Sequence, residues 1–178
     1  IPQKILHKKA LLYVNGGYIN QGEFRGKPKE NVDLAHIAAE NNAVVIELRD
    51  VPNQFLVIDG SPKKENQIIA YTFKKFLEAP EHNKFIQAQL PMTKSIVRSM
   101  DLLQKLLLEK HNIFVDKFVL SGASKRAWAT WLAMLIDDRI ESVITVNTDF
   151  LNFKGIINQD CIVSNLECLQ SMDEYIKY

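Results

Sequence analysis

The stretch Lys117–Trp128 constrains this chain more than any other. Phe118, Val119 and Leu120 form a short apolar run of the kind that builds a buried strand. A corner of small residues follows, Ser121, Gly122, Ala123 and Ser124. Ala127, Trp128, Thr130, Trp131, Leu132, Met134 and Leu135 then continue as a helix that is apolar on most sides. A strand, a tight corner and a helix, with Ser at the corner, form the arrangement called a nucleophile elbow. The corner lifts the Ser124 hydroxyl out of the sheet. The backbone N–H groups that follow, at a helix N-terminus, face the anion formed when the hydroxyl attacks a carbonyl. A second reading is a Ser that caps a helix after a parallel strand.

The usual elbow spacing is Gly-x-Ser-x-Gly. Gly122 and Ser124 fit it, and Arg126 occupies the last position. A side chain fits there only where a neighbouring strand leaves room. The elbow reading makes geometric demands. Ser124 should have a positive φ, unusual for a non-glycine residue. Its strand should lie inside a parallel sheet, between the strands near 43–48 and 142–146. Its hydroxyl should stand above the carboxyl edge, where open α/β folds bind ligands.

The rest of the chain alternates strands with helices. Lys9 to Val14 reads as a strand ending in Asn15-Gly16-Gly17-Tyr18-Ile19. Asn-Gly between apolar residues is a hairpin signal. A Gly pair after an early strand is also where a hydrolase builds the second half of its oxyanion hole. Val32 to Glu40 reads as a short helix capped by Asn31, with Asp33 in its first turn. Ala43 to Leu48 is apolar enough for a buried strand. Phe55 to Ile58 reads as a short extra strand and Asp59-Gly60 as a turn. Ser61-Pro62 reads as N-cap and first helical residue. The clearest helix runs from about Thr93, a plausible cap, to His111, with Ile96, Met100, Leu103 and Leu107 in one stripe and Asn112 closing it. Ser142 to Val146 is the last clear strand, and Val163 to Ile176 is weakly helical. Crossovers this long argue for a mostly parallel sheet with helices on both faces, in a single domain over 1–178.

A length of 178 residues suits one domain with a substantial core. The net charge of +1 gives no electrostatic case for nucleic acid or an anionic membrane. No apolar run approaches the ~18 residues a membrane helix needs. Cys161 and Cys168 are too few to define a redox compartment; they either pair or stay free, and the free reading is preferred. Neither a cofactor nor a metal is implied.

Several stretches resemble the PhoPQ-activated pathogenicity-related protein family. They are Asp50–Gln54, Leu90–Ser95 with Val97–Asp101, Phe118–Arg126 with Trp128, and Asp149–Asn152. The resemblance spans roughly residues 10 to 155. Gly122-Ala123-Ser124-Lys125-Arg126 is its most specific part, because Arg stands where other hydrolases have Gly. One departure is Ala127, where a Gly is expected of the family. The resemblance implies a three-layer α/β-hydrolase-like fold, a candidate nucleophile at Ser124 and a small-molecule or peptide substrate. It also implies an exported protein of a group linked with virulence and with tolerance of antimicrobial peptides.

A Ser hydroxyl needs an adjacent base. In this fold an acid and then a His follow the Ser. His7, His36, His82 and His111 all precede Ser124. The expectation is therefore either a partial domain, with the acid and His beyond residue 178, or a binding or signalling protein without turnover. The Ile1 start favours the partial domain. Asp149 is a possible acid or a structural carboxylate. Lys125 and Arg126 either bind an anionic substrate or pair with a structural acid. The expected oxyanion donors are the N–H of Lys125 and one N–H at Gly17 or Tyr18.

Overall fold

The computed structural model describes residues 1–17 and 33–148. Their fold is α/β. A parallel four-stranded sheet, in the order β2-β1-β5-β6, is built from β1 (Lys9–Val14), β2 (Val44–Leu48), β5 (Lys117–Ala123) and β6 (Ile140–Val146). A separate antiparallel pair joins β3 (Leu56–Ile58) to β4 (Ser61–Lys63). The helices are α1 (Leu34–Asn41), α2 (Glu65–Glu78), α3 (Gln89–His111) and α4 (Lys125–Met134).

Period-two alternation sets the core. On β1, Ala10, Leu12 and Val14 are buried, while Leu11 and Tyr13 on the other face are half-buried. Phe118 and Leu120 continue the buried face on β5. Met92, Ile96, Met100 and Leu107 of α3 and Ala129 and Ala133 of α4 close over it. Small residues on α4 let that helix approach closely, and the Thr93 hydroxyl reaches the Ala129 carbonyl at 3.4 Å. The step from β1 to β2 runs one way across the sheet and the step from β5 to β6 the other. Right-handed crossovers then put α1 and α4 on opposite faces. Among the described residues, no helix is long and apolar enough to cross a membrane.

β5 lies inside the parallel sheet between β2 and β6, as expected, with β1 standing between it and β2. Both neighbours of β1 are parallel to it, which excludes the hairpin at Asn15-Gly16. Several other local expectations change. Asp33, not Asn31, caps α1, its carboxylate accepting the His36 N–H at 2.9 Å. Ser61 and Pro62 belong to β4, and α2 begins at Glu65. α3 starts at Gln89, ahead of Thr93, because Pro91 falls in the first turn, where no N–H is needed. Thr93 is buried, and its hydroxyl donates to the Gln89 carbonyl at 2.8 Å. Asn112 closes α3 as expected, at φ 54°. Asn31 and the stretch 163–176, read as weakly helical from sequence, lie outside the described residues.

Candidate active site at the carboxyl edge of the sheet

β1 and β5 end at the same level, with Val14 paired to Gly122. The loop beginning at Asn15 and the corner beginning at Ala123 therefore leave the sheet side by side. Ser124 sits at the corner with φ 52° and ψ −121°, the positive φ expected of an elbow. Its peptide groups are held firmly. The Ser124 N–H donates to the Val146 carbonyl at 2.9 Å. The Ser124 carbonyl accepts from the Trp128 N–H at 3.2 Å and from the Thr148 hydroxyl at 2.8 Å. Its side chain makes no capping bond to α4, and the residue is half-buried. The capping role is thus absent.

The glycine at 122 has a steric reason. A Cβ there would lie 3.0 Å from the Arg126 carbonyl carbon, 3.1 Å from the Ala127 nitrogen and 3.2 Å from the Arg126 oxygen. These are all backbone atoms of the helix's first turn, which doubles back onto the strand. Ala127, where the family's Gly was expected, fits with its methyl fully buried.

Arg126 fits because the neighbouring loop is a glycine. A Cβ on Gly16 would lie 2.8 Å from Arg126 Nη1. The guanidinium is ion-paired with Glu65 at the start of α2. Lys125 Nζ donates to Asn66 Oδ1 and lies 4.0 Å from Glu65. Both cations therefore pair with the first turn of α2. Glu65 and Asn66 carry no local sequence signal that would have marked them as partners of the elbow.

The loop after β1 is fixed by Asn15, which is buried. Its Oδ1 accepts the Gly16 N–H at 2.6 Å, and its Nδ2 donates to Glu47 Oε1 at 2.8 Å. The Gly16 N–H is thus occupied. Among the described residues, the N–H groups of Gly17 and Lys125 make no hydrogen bond. Asp50, at φ 60°, packs against Gly17 so closely that a Cβ on Gly17 would collide with its carboxylate. Asp50 stood in the sequence only as part of a family match. Tyr18 and Asp149 lie outside the described residues, Asp149 directly after Thr148.

The four histidines are all exposed and none bonds Ser124. His111 ends α3, at the opposite edge of the sheet. That edge also carries the described carboxylates held below their usual range. Arg139 depresses the Asp137 carboxyl, and Arg98 and then Arg139 depress that of Asp101. Among the described residues, no cluster of His, Cys, Asp and Glu is placed to hold a metal ion.

The family described as PhoPQ-activated pathogenicity-related protein matches residues 1–163. Autocrine proliferation repressor protein A of Dictyostelium discoideum is 30% identical over 154 residues, which is 85% of this chain. The chain spans only 30% of that relative's length. No solved structure matches the chain.

Proposed function

The chain belongs to the PhoPQ-activated pathogenicity-related protein family, and on that premise we propose that it is a serine hydrolase of ester or amide bonds with Ser124 as nucleophile. The observation that carries the reading is the positive φ of a half-exposed Ser whose hydroxyl caps nothing. The fold in this reading is α/β-hydrolase-like, and the described sheet is part of it. Ser124 Oγ attacks the carbonyl carbon and gives its proton to a His. The developing oxyanion is held by the Lys125 N–H, at the positive end of α4, and by the N–H of Gly17 or Tyr18. The leaving alcohol or amine takes the proton back from that His. Water then hydrolyses the acyl-enzyme by the same route.

No histidine follows Ser124 in these 178 residues. In this reading the His comes from sequence outside them, in keeping with the 30% share of the relative that the chain covers. The acid comes from outside as well or is Asp149. The reading carries with it a small-molecule or peptide substrate and an exported protein.

Ser124→Ala in the full-length protein tests it. The variant should lose labelling by a fluorophosphonate probe and about three or more powers of ten in hydrolysis of a short acyl ester. A folded variant that labels and turns over like the parent refutes the assignment. A second reading, a signalling protein without turnover, is favoured by the name of the relative, an autocrine repressor of proliferation. It requires that Ser124→Ala leave the biological effect intact.

A further inference from the structure

Arg126 touches both halves of the site. It belongs to the first turn of α4, two residues past Ser124. Its guanidinium lies against Gly16, one residue before Gly17. A Cβ on Gly16 would lie 2.8 Å from Nη1, 3.1 Å from Cζ and 3.3 Å from Nη2. Because the three distances are similar, the guanidinium presents its flat side to the Gly16 backbone. Glu65 holds it there, and both side chains are largely shielded, at 13% and 17% exposed. Glu65 is itself anchored, its N–H donating to Gln54 Oε1 at 3.1 Å. Asn15 Oδ1 accepts the Gly16 N–H at 2.6 Å. The Gly16 peptide is thus held by Asn15 and packed against Arg126.

We propose that Arg126 is a positioning residue that couples the two halves of the anion site, fixing the Gly17 N–H relative to the Lys125 N–H. The inference rests on the reading of Ser124 as nucleophile. A planar, permanently charged group suits the task. It stacks on a peptide while its edge pairs with a carboxylate, which a lysine ammonium does not do. The coupling also explains why position 16 is glycine: any side chain there pushes the guanidinium off the loop.

A size-swap cycle tests this in the full-length protein, with Gly16→Ala, Arg126→Ala, the double variant and Arg126→Lys. Active sites are counted by fluorophosphonate titration, and hydrolysis of a short acyl ester is measured per titrated site. Each single variant should lower kcat about 10- to 100-fold with KM changed less than about twofold, because the anion forms only in the transition state. Arg126→Lys keeps the charge and should not restore kcat. The double variant should be no slower than Arg126→Ala alone. Unchanged kcat per titrated site in Arg126→Ala, or strictly additive losses, overturns the proposal. If the parent neither labels nor hydrolyses, the hydrolase reading itself fails. Amide hydrogen exchange at Gly17 then decides the coupling. Faster exchange in both single variants, with no further rise in the double, sustains it. Independent effects overturn it.

Discussion

Gly122→Ala is the sharpest probe of the elbow. The added methyl would meet three backbone atoms at 3.0, 3.1 and 3.2 Å. Carbon contacts are comfortable at about 3.5–4.0 Å, so something must move by roughly half an ångström. No flexible side chain is available to yield. The obstructing turn is tied down by Ser124 N–H to Val146 and by Trp128 N–H to Ser124. It is also packed through Ala127, Ala129, Thr130 and Ala133, all buried. Overpacking of this kind costs about 1–3 kcal/mol. In a domain of this size that lowers Tm by roughly 2–12 °C. The turn that moves carries Ser124 and the Lys125 N–H. A displacement approaching 1 Å costs on the order of 100-fold in rate. The assay pairs thermal unfolding with the rate of fluorophosphonate labelling. Gly60→Ala serves as control. Gly60 has φ +74° with nothing within 4 Å of a new Cβ, so it loses about 1–2 kcal/mol to backbone strain alone and labels normally. If Gly122→Ala keeps both Tm and labelling rate, the close approach between strand and helix does not hold the elbow as argued.

Two further outcomes concern the missing base and the opposite edge of the sheet. The 178-residue chain alone should hydrolyse esters poorly or not at all, since no His follows Ser124 to take its proton; efficient turnover by the purified piece, lost with Ser124→Ala, would show that another residue is the base. Asp137 and Asp101 have folded pKa values held below their unfolded ones by arginines, so their contribution is complete above about pH 4 and fades as pH falls through the folded values. Asp137, at 12% exposed against 41% for Asp101, carries more of it. Asp137→Asn should cost about 1–2 kcal/mol at pH 7 and flatten the loss of stability below pH 4, read by urea unfolding across pH 2–7.

The elbow was legible because its signals are local. The apolar run, small corner and helix lie within twelve neighbouring positions, 117–128. Sheet order was not legible in the same way. Nothing in the apolar runs at 9–14 and 43–48 says which one pairs with β5, because parallel register is set by crossovers and by packing under α3 and α4. Ser61-Pro62 misled for a related reason. The dipeptide is good helix-start chemistry, yet Pro62 is also tolerated on a two-stranded ribbon, where Val57 is its partner. The hairpin signal of Asn15-Gly16 fails for the same reason, since the dipeptide carries no trace of the two parallel neighbours of β1 that exclude a hairpin. The contacts that accommodate Arg126 are less visible still. Glu65 lies 61 residues away, and Gly16 on another strand's loop.

The backbone at Ser124 sharpens the distinction between a structural and a chemical serine. A positive φ costs a residue with a Cβ about 1–2 kcal/mol. The bonds to Val146 and from Trp128 and Thr148 hold the peptide in that state, but all of them use backbone atoms of Ser124. None needs a hydroxyl, or any side chain at all, at this position. Ser124→Gly should therefore relieve the Cβ strain, while adding about 0.5–1 kcal/mol of backbone entropy to the unfolded chain. The two effects nearly cancel. Ser124→Gly should be as stable as Ser124→Ala or up to about 1 kcal/mol more stable, whereas a Gly in ordinary helical or extended backbone is the less stable of the two. Both variants should fail to label with a fluorophosphonate. Urea unfolding of the pair measures the difference. A Ser124→Gly protein less stable than Ser124→Ala by more than about 1 kcal/mol would mean the position carries no strain. If Ser124→Ala is in addition as stable as the parent, the hydroxyl contributes nothing to stability at a corner that strains any residue with a Cβ, leaving its chemistry as the reason for the serine.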